Sequence, residues 1–127
     1  MSDKIHVVIA DDHTLFREGL AGIIAGAEDF EVVGQAGTME EAVQLARDLL
    51  PDIILLDIDM PGGGLEAARI VAEEFPVTRI AILTSSEEDD HLIRALKLGA
   101  RAYVLKGVAA RELIRILRAV QAGESYV

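Results

Sequence analysis

The stretch PDIILLDIDMP, residues 51–61, decides the fold class. Pro51 cannot continue a helix arriving from its N-terminal side, residues 53–56 form an unbroken apolar run, and Asp57 ends that run on a charge. A strand with one wet face alternates apolar and polar side chains, so an unbroken run predicts a parallel strand covered on both faces. Working outward, residues 5–9, 80–83 and 102–105 have the same character, and each is followed by polar or glycine-bearing sequence. A fifth run, 31–36, is interrupted by Gly34 and Gln35 and is expected at a sheet edge.

Between these runs the apolar residues recur at helical spacing: Phe16, Leu20, Ile23 and Ile24; Ala42, Leu45, Ala46 and Leu49; Leu65, Ala68 and Ala72; Leu92, Ile93 and Leu96; Leu113, Ile116, Leu117 and Val120. Each set falls on one stripe of a helix. The punctuation agrees. Thr38 and Glu41 are spaced as a capping box, Ser86 stands where it can cap the fourth helix, and Gly26, Gly99 and Gly123 follow the last turns of the first, fourth and fifth. Pro51 and Pro76 stop the second and third. Strict alternation of strand and helix predicts a doubly wound (βα)5 sandwich: three layers, a parallel five-stranded sheet and right-handed crossovers. Such sheets bind ligands beyond the carboxyl ends of their strands.

Composition narrows the function classes. The chain has 127 residues, about the size of one domain, and its core must be built from Ile, Val, Leu and Ala because aromatics make up only 4%. The absence of cysteine excludes disulfides, thiolate metal sites and cysteine nucleophiles. The N-terminus MSDKIHVVIADD lacks a signal-peptide pattern, and no apolar run has the length of a membrane span, so a cytoplasmic protein is expected. A formal net charge of -10 repels phosphate backbones, so this chain by itself is not expected to bind nucleic acid.

At the predicted carboxyl edge stand Asp11 and Asp12 after the first strand, Asp57 at the third, Thr84 and Ser85 after the fourth and Lys106 after the fifth. Carboxylates about 5 Å apart repel by roughly 3 kcal/mol at an effective dielectric near 20, so a cluster of three calls for a cation. Clustered oxygens suit a hard ion such as Mg2+, which leaves positions open for a phosphoryl oxygen. Asp59 can offer its backbone carbonyl to the same ion. Lys106 and Thr84 would add a positive charge and a hydrogen bond, the electrostatic work that phosphoryl transfer requires. His13 opens the first helix, is expected to be exposed, and is left outside the site. Arg111, Arg115 and Arg118 share a face of the last helix and are expected to be solvated or in a protein contact.

The segments DDHTLFREGL, PDIILLDIDMP, LTSS and GARAYVLK together resemble the receiver domains of response regulators of the LuxR/NarL type, and the resemblance covers essentially the whole chain. It implies the flavodoxin-like strand order 2-1-3-4-5. It implies that Asp57 accepts a phosphoryl group from the phosphohistidine of a sensor histidine kinase, with Asp11, Asp12 and Asp57 binding Mg2+. It also implies that Lys106 contacts the phosphoryl group and that Thr84 and Tyr103 form a switch, with homodimerisation on phosphorylation. Receivers of this type are ordinarily followed by a helix-turn-helix domain that binds promoter DNA. The chain stops at GESYV, so residues 1–127 are either a stand-alone receiver or, as is expected here, a receiver separated from such an output domain.

The chain departs from the family pattern in three places. Gly63 and Gly64 lead straight to Leu65, one residue short before the third helix; Gly107 stands where other receivers have proline; and Ala102 replaces a glycine. Two other classes compete. A haloacid-dehalogenase-like phosphatase would use Asp57-Ile-Asp59 as nucleophile and acid, but its DxDxT motif follows the first strand and here Pro61 takes the place of the Thr. A receiver-like scaffold would bind partners without phosphorylation, yet has no need of the full acidic set with Lys106.

Overall fold

The computed structural model describes residues 3–85 and 89–126. Strands and helices alternate throughout: β1 (Ile5–Ala10), α1 (Thr14–Ala25), β2 (Phe30–Ala36), α2 (Met39–Leu49), β3 (Ile53–Asp57), α3 (Gly64–Glu74), β4 (Arg79–Thr84), α4 (Asp89–Lys97), β5 (Ala102–Leu105) and α5 (Ala110–Gln121). The five strands pair in parallel in the order β2-β1-β3-β4-β5, so the sheet reverses direction between β1 and β3. That reversal opens a crevice at the carboxyl ends of these two strands.

Every residue of β3 is buried, as its unbroken apolar run requires. The sheet separates two cores. Val7, Ile9, Leu55, Ala81 and Leu83 pack with Leu20 and Ile24 of α1 and Leu113, Ile116 and Leu117 of α5. Val8, Ile54, Leu56 and Ile82 pack with Ala42 and Ala46 of α2, Ala68 and Val71 of α3 and Ala95 of α4. Alternate residues of each strand thus serve opposite layers.

The interruption in the fifth run is a bulge on the edge strand. Val7 pairs with Val32 and Val8 with Gly34, leaving Val33 as the extra residue. A Cβ on Gly34 would lie 3.1 Å from Leu45 Cδ1, so the glycine lets α2 sit close to the sheet. Thr38 Oγ1 caps α2 by accepting from the N–H of Glu41, while the Glu41 carboxylate accepts from Gly37 N–H rather than from the cap residue itself. Leu50 ends α2 in the left-handed region at φ 42, immediately before Pro51.

Some helical stripes are placed differently from expectation. On α4, Ile93 and Leu96 are exposed and Ala95 is the residue that reaches the core, with Leu92 only partly buried against it. Ile23 and Leu49 likewise face outward. Spacing locates a stripe only to within a turn, and the tilt of each helix on the twisted sheet chooses which edge of it is covered. Gly99 and Gly123 take positive φ after their helices, whereas Gly26 stays right-handed at φ -70. The cap expected at Ser86 lies outside the described residues. Among the described residues no helix is long and apolar enough to cross a membrane.

Candidate functional site

The chemistry-bearing residues collect where the strand order reverses. Asp57 closes β3 and is fully buried, as is Asp11 just past β1. Asp12 follows it and is partly exposed. Lys106, one residue beyond β5, reaches back over β4: its Nζ lies 2.8 Å from Asp11 Oδ2, off the hydrogen-bond direction, and 3.3 Å from Asp57 Oδ1. The Phe16 ring, on α1, stands beneath that ammonium at 4.8 Å. Its face attracts the cation and shields one side of it from water.

The backbone holds these groups in place. Arg17 donates to the Asp11 carbonyl at 2.9 Å and to the Gln35 side chain at 3.0 Å, tying the end of β1 to α1 and β2. Gly64 opens α3 against the peptide of Asp57, where a Cβ would stand 2.2 Å from the Asp57 carbonyl oxygen. Gly62 and Gly63, at φ 87 and 90, let the loop before α3 turn within the residues available. The loop is fastened to α2 by the Met39 N–H, which donates to the Pro61 carbonyl.

Thr84 ends β4 fully buried, and Tyr103 on β5 pairs with Ile82, two positions before Thr84. Thr84, Ile82 and Tyr103 therefore share the sheet face covered by α4. Tyr103 is 9% exposed and lies in the core cluster with Ile82 and Ala95. A switch in which this ring turns in from solvent would start from an outward ring; here the ring is already inward. Asp59 is exposed, and its N–H donates to Asp57 Oδ1 at 3.3 Å. Ser85 is exposed as well.

Electrostatics mark Asp57 as the costly charge. Burial, and next the charge of Asp11, push its carboxyl above the ordinary aspartate range against the opposing pull of the Asp59 N–H and Lys106. Burial alone would lower the pKa of the Lys106 ammonium, but the close carboxylates of Asp11 and Asp57 outweigh it and raise the pKa. Asp57 Oδ2 is buried without a hydrogen-bond partner. Three carboxylates around one ammonium leave a local excess of about two negative charges, and an oxygen donor set with one vacant buried lone-pair site fits a hard divalent cation.

His13, expected to be an exposed bystander, joins this group. Ligand atoms of Asp11, Asp12, His13 and Asp57 all lie within 4.8 Å of one another. Its side chain is exposed as expected, yet the ring folds back over both neighbouring aspartates. Its place directly after the acidic pair was the available signal. Arg17 and Phe16 carried none, because an arginine and an aromatic on a helix read as surface and core.

The family model for the response regulator receiver domain matches residues 7–118. The chain belongs to this family. Receiver domains are phosphoacceptor signalling modules of two-component systems, and the haloacid-dehalogenase alternative is set aside. Response regulator GacA of Pseudomonas aeruginosa is 40% identical over 124 residues, which cover 97% of this chain and 58% of that protein. Transcriptional regulatory protein DegU of Brevibacillus brevis is 39% identical over 126 residues, 98% of this chain and 53% of that one. The chain thus spans a little over half the length of these relatives. A LuxR-family two-component response regulator from Aurantimonas sp. SI85-9A1 superposes with a TM-score of 0.93 at 32% identity, covering 98% of this chain and 89% of that chain.

Proposed function

We propose that Asp57 is the phosphoacceptor of this receiver and that a sensor histidine kinase supplies the phosphoryl group from a phosphohistidine. The observation that carries this reading is the buried, unpartnered Oδ2 of Asp57 at the centre of the acidic edge, beside the Lys106 ammonium. In the transfer, an Asp57 carboxylate oxygen forms a bond to phosphorus as the nitrogen–phosphorus bond breaks, and its electron pair returns to the kinase imidazole. Asp11, Asp12 and Asp57, with the Asp59 carbonyl, would hold Mg2+. When bound, that ion neutralises charge on the entering phosphoryl oxygens. Lys106, held over Phe16, offsets part of the same charge, and the Thr84 hydroxyl donates to a phosphoryl oxygen.

The consequence we propose is a shift of Thr84 and Tyr103 that reshapes the face of α4, β5 and α5, controlling homodimerisation and an output. For the whole protein that output is transcription through a DNA-binding domain outside residues 1–127, in the cytoplasm, a reading supported by its likeness to a transcriptional regulatory protein. The receiver itself is not the DNA-binding part. Its net charge is -10, and of the arginines on α5, Arg118 pairs with Asp29 and Arg115 with Glu112. Acetyl phosphate with Mg2+ should add one phosphate to the intact mass of the chain, and Asp57→Asn should abolish that gain. Full labelling of the variant would remove Asp57 from the mechanism.

A further inference from the structure

β5 is the last strand in the sheet order, and an outer strand presents unpaired backbone groups along its free edge. Here the chain itself returns to that edge. After α5, Gly123 takes φ 94 and its N–H donates to the Val120 carbonyl at 3.0 Å, while the Glu124 N–H donates to the Ala119 carbonyl at 2.9 Å. This pair of bonds is a Schellman motif, which ends a helix and turns the chain away from its axis. Arg101 secures the turn by donating from Nη1 to the Gly123 carbonyl at 3.1 Å. Tyr126 then pairs in parallel with Ala102: its N–H donates to the Arg101 carbonyl at 2.8 Å, and its carbonyl accepts from the Tyr103 N–H at 3.1 Å. The Tyr126 ring, partly buried, packs with the core cluster that contains Ala102 and Val120.

From this geometry we infer that the outer edge of β5 is a docking surface for the chain's own segment Glu124–Tyr126, and that phosphorylation of Asp57 loosens that segment through Tyr103. The second half rests on the proposed reading, in which Thr84 and Lys106 both reach the phosphoryl group. The Lys106 N–H donates to the Thr84 carbonyl at 2.8 Å, so the ends of β4 and β5 move together. Their pull acts on the inner side of β5, toward Asp57, whereas the segment holds its outer side. One pair of backbone hydrogen bonds makes that hold, and two such bonds together are worth only about thirtyfold in population. A displacement of β5 that lengthens them frees the segment in a sizeable fraction of molecules. The occupant is this segment rather than the β5 of a second copy, because Tyr126 already takes the Arg101 carbonyl and the Tyr103 N–H on that edge. The signal thus passes along the backbone from the switch residue into the stretch of chain that follows α5.

Amide hydrogen exchange of the intact chain, read residue by residue in magnetic resonance spectra, tests both halves. Without phosphate, the Tyr103 and Tyr126 amides should be protected to a similar degree, because one opening breaks both bonds. Acetyl phosphate with Mg2+ should speed exchange at both by about tenfold or more, within the roughly thirtyfold that the pair can lose. Tyr126→Pro removes the N–H that reaches Arg101, and should speed Tyr103 exchange by a similar factor without phosphate. Tyr126→Phe keeps the backbone pair and the ring, and should match wild type. Circular dichroism should show both variants folded, and both should gain one phosphate by intact mass as wild type does. Tyr103 exchange that is equal in Tyr126→Pro and wild type overturns the docking. Protection that is unchanged in fully phosphorylated wild type overturns the coupling and leaves the Asp57 reading intact. Absence of any phosphate gain overturns the Asp57 reading and the coupling with it, while the proline comparison still decides the docking.

Discussion

The ammonium of Lys106 stands 3.3 Å from Oδ1 of Asp57, although β4 separates the strands that carry them. The same cation is at 2.8 Å from Asp11 Oδ2. Lys106 therefore occupies the field that a metal ion would enter, and in the proposed reaction it would meet a phosphoryl oxygen on Asp57. The two roles separate in Lys106→Ala. Removing a unit charge roughly 5 Å from a divalent ion relieves up to about 7 kcal/mol of repulsion at an effective dielectric of 20, and solvent screening cuts this severalfold, so Mg2+ should bind at least about tenfold more tightly. Phosphorylation by acetyl phosphate should nevertheless slow. Mg2+ titration and intact-mass time courses measure both, and Mg2+ affinity equal to wild type would place the ion outside the reach of Lys106.

Asp57 also imposes a pH dependence on the fold. Its carboxyl titrates above the ordinary aspartate value, first because it is buried and then because Asp11 is charged. A carboxyl with a raised folded pKa holds its proton more tightly in the fold. Its stabilising contribution is complete below the unfolded value near about 4 and is lost as pH rises through the folded pKa. In metal-free buffer at neutral pH, Asp57→Asn should therefore unfold at a higher denaturant concentration than wild type. The gap should close as pH falls toward about 4. A variant less stable than wild type at neutral pH would show that the Lys106 pair outweighs the burial of the charge.

Gly64 is where the fold and the site meet most tightly. A Cβ there would stand 2.2 Å from the Asp57 carbonyl oxygen and 2.8 Å from Ile58 Cα, both backbone atoms that cannot swing away. Gly64→Ala should cost about 2–3 kcal/mol of stability in urea unfolding and reduce phosphate acceptance by displacing Asp57. Gly63→Ala, whose added Cβ meets only Glu66 Cβ at 4.0 Å, should be limited to the strain of its φ of 90, about 1–2 kcal/mol.

Thr84 and Tyr103 share a sheet face two register positions apart, and the ring is already buried beside Ile82 and Ala95. Thr84→Ala should leave phosphate acceptance at Asp57 in place and weaken phosphate-dependent self-association. A complete switch from 1:99 to 99:1 needs about 5.5 kcal/mol, more than one hydrogen bond contributes, so a partial shift is expected. Sedimentation of phosphorylated wild type and variant reads the difference, and equal dimerisation in both would remove Thr84 from the switch.

Sequence alone determined the layers and the edge on which the charged residues gather. Unbroken apolar runs such as 53–56 tolerate only burial on both faces, and strand–helix alternation leaves few ways to provide it. Because the charged residues follow those runs directly, Asp11, Asp57 and Lys106 could be assigned to one edge before any distance was known. Tertiary structure decided what each side chain meets there. The ring of His13 folds onto Asp11 and Asp12 because the chain turns between β1 and α1, and Arg17 finds the Asp11 carbonyl across that same turn. Ala95 rather than Ile93 or Leu96 reaches the core because the seating of α4 on the sheet, not its spacing, selects the covered edge. Tyr103 lies inward for a similar reason: β5 carries it onto the face roofed by α4, a neighbour that residues 102–105 alone do not name.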